Sequence, residues 1–227
     1  MDKNKFITAV ITLGISTIIL LVIVYCIFNN NKVNQGDFRI SDSILSSIVE
    51  FNDESAGTNE WKYDISQTNK VSMLIQTLGS ATIKEVYLEN MKVKSKNNIH
   101  IYVEQDNYDI RYKYEDIKNK KVNVYAEENE AGDYLVEFDI KNENVLSDYI
   151  IPSEVKEIRH DGTVLNTASI AVSQIRFKVK YNLVIVQDNK KTNTCKVEIE
   201  MPDDKIAVDG FIVKRLDSSA FNFKVDY

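Results

Sequence analysis

The uncharged run from Phe6 to Phe28 constrains this chain more than any other feature. It reads FITAVITLGISTIILLVIVYCIF. About 20 apolar residues in a helix span the roughly 30 Å hydrocarbon core of a bilayer, where a single segment satisfies its backbone polar groups only as a helix. The run therefore predicts one transmembrane helix, which we expect to anchor the chain in membrane lipid.

The exit from this run indicates an anchor that is not cleaved. A signal peptide has a shorter apolar core and ends at a small-x-small cleavage site. Tyr25 is too large for such a site, and it also argues against lipidation at Cys26. Lys3 and Lys5 precede the run and Lys32 and Arg39 follow it, so the charge bias is small. Because only five residues precede the helix and the bulk of the chain follows it, residues 1–5 are predicted to be a cytoplasmic tail. We expect a single-pass protein of the cell membrane with its C-terminal domain outside the cytoplasm; a cytoplasmic domain on a membrane tether stays the alternative.

Composition narrows the class of the remaining chain. Twelve Tyr and nine Phe supply enough apolar surface for a folded core. The net charge is −6, and no basic tract accompanies aromatic residues, so we expect no nucleic-acid partner. Cys195 is the only cysteine after the anchor, which excludes a disulfide within the domain. Many Lys, Asn and Ile with only two Pro are typical of an AT-rich bacterial gene.

Two short helices are predicted before the pattern changes. Residues 29–60 are expected to be a linker with a short amphipathic helix, because Ser41 and Asp42 suit a helix cap. Four apolar residues then recur with helical spacing: Ile44, Leu45, Ile48 and Val49. A second helix is predicted from Asn69 to Leu78, with Gly79 as its stop.

From Ile83 onward the apolar residues alternate with period two, which predicts antiparallel strands. The clearest runs are Ile99–Val103, Tyr108–Tyr114, Val122–Ala126 and Tyr134–Ile140. Residues 61–142 are thus expected to form a helix plus an antiparallel meander. A break at Asn142–Ser153 would begin a second β lobe at residues 143–227. The predicted fold class is mainly β (α+β), with one or two sandwich-like lobes.

Three hairpins are predicted in the second lobe. One turns at His160–Gly162, and another joins Phe211–Leu216 to Phe221–Tyr227. The strongest joins Gln174–Val186 to Thr194–Met201. Pairing residues whose numbers sum to 380 places Ile185 opposite Cys195 and Lys180 opposite Glu200, with the apolar side chains on one face. Cys195 is therefore predicted to be a buried thiol, neither a disulfide partner nor a nucleophile.

No motif predicts catalysis, a cofactor or a metal. His100 and His160 lie outside any ligand-spaced cluster, which argues against zinc. Residues 153–156 match the SxxK pattern of penicillin-binding enzymes, but the accompanying motifs are absent. Two acidic groups are expected to be solvated turns rather than calcium sites: Glu127, Glu128 and Glu130, and Asp203 with Asp204. We therefore predict that the chain is not an enzyme.

The tyrosines divide into two groups. One group shares a face with Ile110, which predicts packing in the core: Tyr108, Tyr112 and Tyr114. Tyr87, Tyr102 and Tyr125 are less easily assigned to a core. Aromatic side chains stack on sugar rings, so one of these three is a candidate for a ligand-binding surface.

One segment resembles a known family. Val71 to Asn107, with Leu74-Ile75, Val86-Tyr87-Leu88 and Ile99-His100-Ile101, resembles the helix, strand and second strand of the bitopic alignment subunits of type IV pili. The β-rich remainder departs from that family's two-helix ferredoxin-like pattern. The resemblance implies a scaffold role in an envelope machine.

These observations lead to three functional expectations. The first is a structural or assembly subunit of a bacterial envelope complex, with a protein partner in the envelope. The alternative is an extracytoplasmic module that binds or senses a ligand such as a glycan. The third is a cell-wall enzyme, because active sites assembled from scattered residues leave no motif.

Overall fold

The computed structural model describes residues 36–53, 61–95, 100–105, 110–152 and 162–226. Residues Gly36–Tyr227 form one compact unit by their backbone contacts. The predicted tail and anchor at residues 1–28 lie outside the described residues. Within the described ranges, no helix has the length and apolar character needed to cross a bilayer.

Strands dominate the described chain, and the helices are short. The strands are β1 Phe38–Asp53, β2 Lys62–Thr77, β3 Ile83–Ser95, β4 His100–Gln105, β5 Ile110–Lys113, β6 Val122–Val124, β7 Ala126–Glu128, β8 Tyr134–Ile150, β9 Phe177–Gln187, β10 Thr192–Met201, β11 Phe211–Arg215 and β12 Phe223–Asp226. The helices are α1 Tyr114–Ile117, α2 Thr163–Thr167, α3 Val172–Ile175 and α4 Ile206–Asp209. The predicted mainly β class is confirmed.

Two antiparallel sheets pack as a sandwich. The first sheet has the order β11-β1-β2-β8-β4-β5, and β7 also pairs with β8. The second sheet has the order β12-β10-β9-β3-β6. Each sheet takes strands from both sides of residue 143, and β8 continues past that residue to Ile150, within the segment where a break was predicted. The sheets therefore do not divide at that residue.

The first predicted helix is wrong, because residues 41–49 lie in β1 and pair with β2. Two features of β1 make its alternation of buried and exposed residues hard to recognise in the sequence. A bulge between Ile40 and Asp42 shifts the phase by one residue. Beyond the bulge the buried face carries Ser43 and Ser47 as well as apolar residues, while Ile44 lies on the other face.

The second predicted helix is also wrong, because Asn69–Thr77 belong to β2. This strand buries alternate residues: Ile65, Gln67, Asn69, Val71, Met73 and Ile75. Leu74, on the opposite face, completed the apparent helical spacing. The segment likened to the helix of pilus alignment subunits is therefore a strand, and the resemblance does not extend to the fold.

The core consists of two apolar clusters with polar side chains between them. The larger cluster lies between the two sheets and includes Leu45, Val71 and Ile140. The smaller one packs beneath α2, α3 and α4: Val49, Ile65, Val164, Leu165, Ile170, Ile175 and Ile206. Four buried polar residues occupy the intervening positions of β1, β2 and β8: Ser47, Gln67, Asn69 and Asn142.

Hydrogen bonds within this polar row favour one alignment of the three strands. The Ser47 hydroxyl donates to Asn69 Oδ1 at 2.7 Å, and Asn69 Nδ2 donates to the Ile140 carbonyl at 3.2 Å. Gln67 lies directly opposite Asn142, whose side-chain amide has no hydrogen-bond partner among the described residues. Because a shift in register would break these bonds, the row selects register rather than adding stability.

The β9–β10 hairpin forms with the predicted faces but a different register. Cys195 lies opposite Leu183, so paired numbers sum to 378 rather than 380. The parity is unchanged, and the predicted apolar face is buried. Lys180 consequently faces Glu198 instead of Glu200. A tight turn in which Lys190 has φ 68° fixes this register, because β9 extends to Gln187 and shortens the loop.

The predicted final hairpin is wrong. Its two strands exist, but β11 pairs with β1 in the first sheet and β12 pairs with β10 in the second. Most of the hairpin predicted at His160–Gly162 lies outside the described residues. Gly162 itself precedes α2.

Candidate functional site

Strand β11 forms one edge of the first sheet, and its backbone pairing shows which groups face outward. The Val49 N–H donates to the Gly210 carbonyl at 2.9 Å, and the Leu216 N–H donates to the Ser43 carbonyl at 2.8 Å. Hydrogen-bonded pairs alternate along an antiparallel ladder. Ile212 and Lys214 are therefore the β11 residues whose backbone bonds are made with β1.

The other three residues of β11 direct their backbone groups away from β1. Phe211, Val213 and Arg215 lie opposite Ile48, Ser46 and Ile44 in the intervening, non-bonded positions. In the described part of the chain no strand pairs with this outer side of β11. The strand thus presents a row of N–H and C=O groups to its surroundings.

The side chains beside this row are apolar and exposed. Phe211 and Val213 have 52% and 56% of their surface exposed, and Ile48 has 40%. All three lie on the outer face, since Phe211 is directly opposite Ile48 and Val213 is two residues further along β11. We call Ile48 together with residues 211–215 the β11 edge. Edge strands commonly carry lysine, proline or a covering segment that prevents pairing. β11 carries Lys214 and Arg215 at its end, but its first three residues are apolar.

Ion pairs hold both charged residues at the end of β11. Arg215 donates to Asp42 on β1 at 2.7 Å, and this hydrogen bond lowers the pKa of the Asp42 carboxyl. On the inner face, Lys214 Nζ lies 3.4 Å from Asp203. Both cations are neutralised locally, so the β11 edge is apolar rather than basic in character.

This arrangement is suited to strand addition. An incoming extended segment gains backbone hydrogen bonds from the open row and side-chain contacts from the apolar residues beside it. These residues are not among the candidates predicted from the sequence, where β11 is expected to pair in a hairpin. The signal was the run Phe211-Ile212-Val213, which is apolar on both faces of the strand although a strand at a sheet surface normally alternates.

The acidic candidates are explained by turns and ion pairs. The Asp203 carboxylate accepts from the Lys205 N–H before α4, which is the main cause of its lowered pKa, and Lys214 adds to the effect. Asp204 pairs with Arg176. Glu127, Glu128 and Glu130 are exposed in β7 and the following turn. Among the described residues no group of three His, Cys, Asp or Glu is placed to hold a metal ion.

The tyrosine candidates are distributed between packing and surface. Tyr112 and Tyr114 pack against the larger cluster, as predicted, whereas Tyr108 lies outside the described residues. Tyr87 is buried, and its hydroxyl accepts from Lys121 Nζ at 2.9 Å. The Arg111 guanidinium lies 3.7 Å from the centre of the Tyr102 ring. Tyr125 is exposed, and the three unassigned tyrosines are not brought together into one described platform.

The remaining candidates are a histidine in a strand, a buried cysteine and residues outside the described ranges. His100 lies in β4, while His160 and the SxxK segment at residues 153–156 are outside the described residues. Cys195 is fully buried, as predicted, and burial raises the pKa of its thiol to about 12. A thiol in that state is a poor nucleophile because little thiolate is present at neutral pH.

Comparison with protein-family models, curated proteins and solved structures finds no match to this chain.

Proposed function

We propose that this chain is a membrane-anchored, non-catalytic assembly subunit of a bacterial envelope complex. In this proposal residues 6–28 hold the chain in the lipid bilayer. The folded domain then works outside the cytoplasm by binding an extended segment of a partner protein along the β11 edge.

One observation carries the proposal: among the described residues, the outer side of edge strand β11 is unpaired, and two of its side chains, Phe211 and Val213, are apolar and exposed. Strand addition supplies affinity through backbone hydrogen bonds, and side chains at alternate positions supply specificity. The outward backbone groups of Phe211, Val213 and Arg215 are available for these hydrogen bonds. The exposed Phe211 and Val213 side chains are available for specific contacts.

The chemistry of the edge also defines the partner segment. Because Arg215 and Lys214 are already paired with acidic residues, the edge has little net charge to recruit an acidic segment. The partner is therefore an uncharged extended segment with apolar residues at alternate positions. Those residues would cover Phe211, Val213 and Ile48, which expose about half of their surface.

Site-specific photo-crosslinking in native membranes tests this function. A photo-reactive phenylalanine analogue replaces Phe211 in the full chain, and the same analogue replaces exposed Lys118 in a control. We expect a discrete adduct with one envelope protein from position 211 and none from position 118. Peptide mapping should place the crosslink in an extended segment of that partner.

A second substitution shows whether the adduct depends on strand pairing. Val213→Pro removes an N–H that faces outward, while Val213→Thr keeps both the N–H and the branched side chain. The adduct from position 211 should disappear with proline and persist with threonine. A crosslink that survives Val213→Pro, or one formed equally from position 118, would contradict the proposed mode of binding.

A further inference from the structure

A cleft opens on the outer face of the second sheet, on the side opposite the core. Its volume is about 520 Å³, within the size range of small-molecule binding sites. Strands β3, β9 and β10 supply the polar side chains that line it: Asn90, Lys92, Lys180, Asn182, Lys196 and Glu198. None of these residues belongs to the β11 edge.

The cleft collects positive charge on a chain whose net charge is −6. Three lysines and one glutamate line it, and a second carboxylate, Glu89, lies beside it and accepts from Asn90 and Asn182. Lys180 lies directly opposite Lys92 across the β3–β9 ladder, and like charges in that position destabilise a sheet. The arrangement is therefore not explained by the stability of the sheet.

Glu198 offsets only part of this charge. Its carboxylate lies 2.5 Å from Lys180 Nζ and 3.0 Å from Lys178 Nζ, so it is shared between two lysines of β9. Neither Lys92 nor Lys196 has an acidic partner among the described residues. Two exposed ammonium groups are left to interact with a ligand.

A bulge in β3 shapes the cleft. Glu89 pairs with Asn182 and Lys92 pairs with Lys180, so two residues of β3 stand opposite one of β9. Asn90, in this bulge, has φ 54°, a left-handed conformation that asparagine tolerates better than most residues. Bulges redirect side chains and are common beside binding sites. Here the bulge sets the Asn90 amide at the rim of the lysine cluster.

We propose that this cleft binds a phosphate-bearing ligand that also carries hydroxyl groups, such as a polyol or sugar phosphate. The lysines provide point charges for the phosphate oxygens. The Asn90 and Asn182 amides both donate to Glu89 Oε1, at 3.3 and 3.4 Å, and their carbonyl oxygens are suited to accept from hydroxyl groups of the ligand. The same chemistry occurs in a soluble phosphate ester and in the headgroup of a glycerophospholipid.

Calorimetric titration of the full chain in a non-ionic detergent tests the site, with glycerol 3-phosphate as the probe. We expect saturable binding at one site per chain. Lys92→Gln combined with Lys196→Gln should weaken binding by at least about tenfold, because each removes a charge-assisted hydrogen bond. Lys92→Arg combined with Lys196→Arg keeps both charges and should retain most of the affinity.

A matched control separates this site from general electrostatic attraction. Lys118→Gln combined with Lys120→Gln removes the same charge from exposed residues outside the cleft and should leave the affinity unchanged. Equal weakening by both double variants would overturn the proposal, as would the absence of saturable binding at millimolar probe. All affected side chains are on the surface, and circular dichroism checks that each variant is folded.

The source of the phosphate is identified by a competition arm. The full chain is placed in nanodiscs of phosphatidylcholine alone or with phosphatidylglycerol. Loss of glycerol 3-phosphate binding only in the second membrane assigns the cleft to a lipid headgroup. Equal binding in both membranes assigns it to a soluble ligand.

Discussion

Strands β11 and β12 are neighbours in sequence and similar in composition, yet they have opposite surroundings. β11 reads FIVKR and β12 reads FKVD, and each ends one of the two sheets. In β12, Phe223 and Val225 have only 4% and 7% of their surface exposed. In β11, Phe211 and Val213 have more than half of their surface exposed.

The burial of these side chains differs because Phe223 lies opposite Cys195 on the core-facing side of the second sheet, whereas Phe211 and Val213 lie on the outer face of the first sheet. The open backbone edges of the two strands also differ. The outer side of β12 meets the first residues of the domain, where the Gly36 N–H donates to the Phe223 carbonyl at 3.0 Å and Arg39 forms a bridge with Asn222. The Phe38 and Phe223 rings then meet edge to face at 6.1 Å. No described segment of the chain covers β11 in this way. The chain itself thus closes part of the backbone edge of β12 and leaves the backbone edge of β11 open, which is where we propose that a segment of another protein is added.

The largest expected effect separates the two phenylalanines. Phe223→Ala should lower the free energy of unfolding by about 3–5 kcal/mol, because it leaves a cavity in the larger cluster. Phe211→Ala should change it by less than about 1 kcal/mol, because that ring is already half exposed. Urea unfolding of the detergent-solubilised full chain, followed by circular dichroism, measures both. Similar losses for the two variants would break the comparison.

The next effect concerns the segment that covers β12. A Cβ atom at Gly36 would lie 2.5 Å from Phe223 Cβ and 2.9 Å from the Phe223 carbonyl oxygen. Gly36→Ala should therefore cost about 1–3 kcal/mol in the free energy of unfolding, as overpacking does elsewhere. Ser46→Ala, a small change beside the uncovered β11, serves as the control and should be close to neutral. A neutral Gly36→Ala would mean that this cover contributes little.

A proline pair probes the two sides of β11. Lys214→Pro removes an N–H that bonds to β1 and should lower the free energy of unfolding by about 1–2 kcal/mol. Val213→Pro removes an outward N–H and should cost less than about 1 kcal/mol, because proline is tolerated on open edges. The same urea experiment measures both changes. If the order were reversed, the assignment of outward and inward groups in β11 would be wrong.

The smallest expected effect is a dependence on pH at the cover of β12. Burial raises the pKa of Asp37, but hydrogen bonds from Lys191 and Gln187 outweigh it and hold the value below its ordinary 3.8. A carboxyl whose pKa is lower in the folded than in the unfolded state stabilises the folded state at pH values above the unfolded-state pKa. This contribution is lost as pH falls through the folded-state pKa. Asp37→Asn should cost less than about 1 kcal/mol at pH 7, because the ion pair is partly exposed.

Unfolding curves between pH 7 and acid conditions check this linkage. As pH falls below 3.8 and through the lowered folded-state pKa, the free energy of unfolding of Asp37→Asn should approach that of the unaltered chain, since the aspartate then becomes protonated in the folded state as well. A difference that stays constant as pH falls would show that Asp37 acts without its charge.

The sequence predicted those parts of the fold that follow from clean alternation. The faces of β9 and β10 were predicted correctly, since a shift of one residue would turn their apolar side chains to water. The exact register was not, because it depends on the conformation of Lys190 in the turn. β1 and β2 were mistaken for helices because Ser47 and Asn69 interrupt the apolar face and a bulge shifts its phase.

The candidate site was the least predictable part. Alternation gives the two faces of a strand, but it does not say which sheet the strand joins or what lies beyond its edge. Phe211 and Phe223 therefore look equivalent in sequence. They are distinguished by the sheet face on which each lies and by the path of residues 36–39 past β12. The cleft on the second sheet was equally hidden, because its lysines come from three strands and approach one another only through the observed register.

Amide hydrogen exchange along β11 tests the central claim most directly. In the full chain purified alone, the Val213 and Arg215 amides should exchange rapidly, while those of Ile212 and Lys214 are protected by β1. In complex with the partner captured at position 211, Val213 and Arg215 should become protected as well, so that protection is continuous along the strand. If these two amides stay unprotected in the complex, the partner does not add a strand to β11.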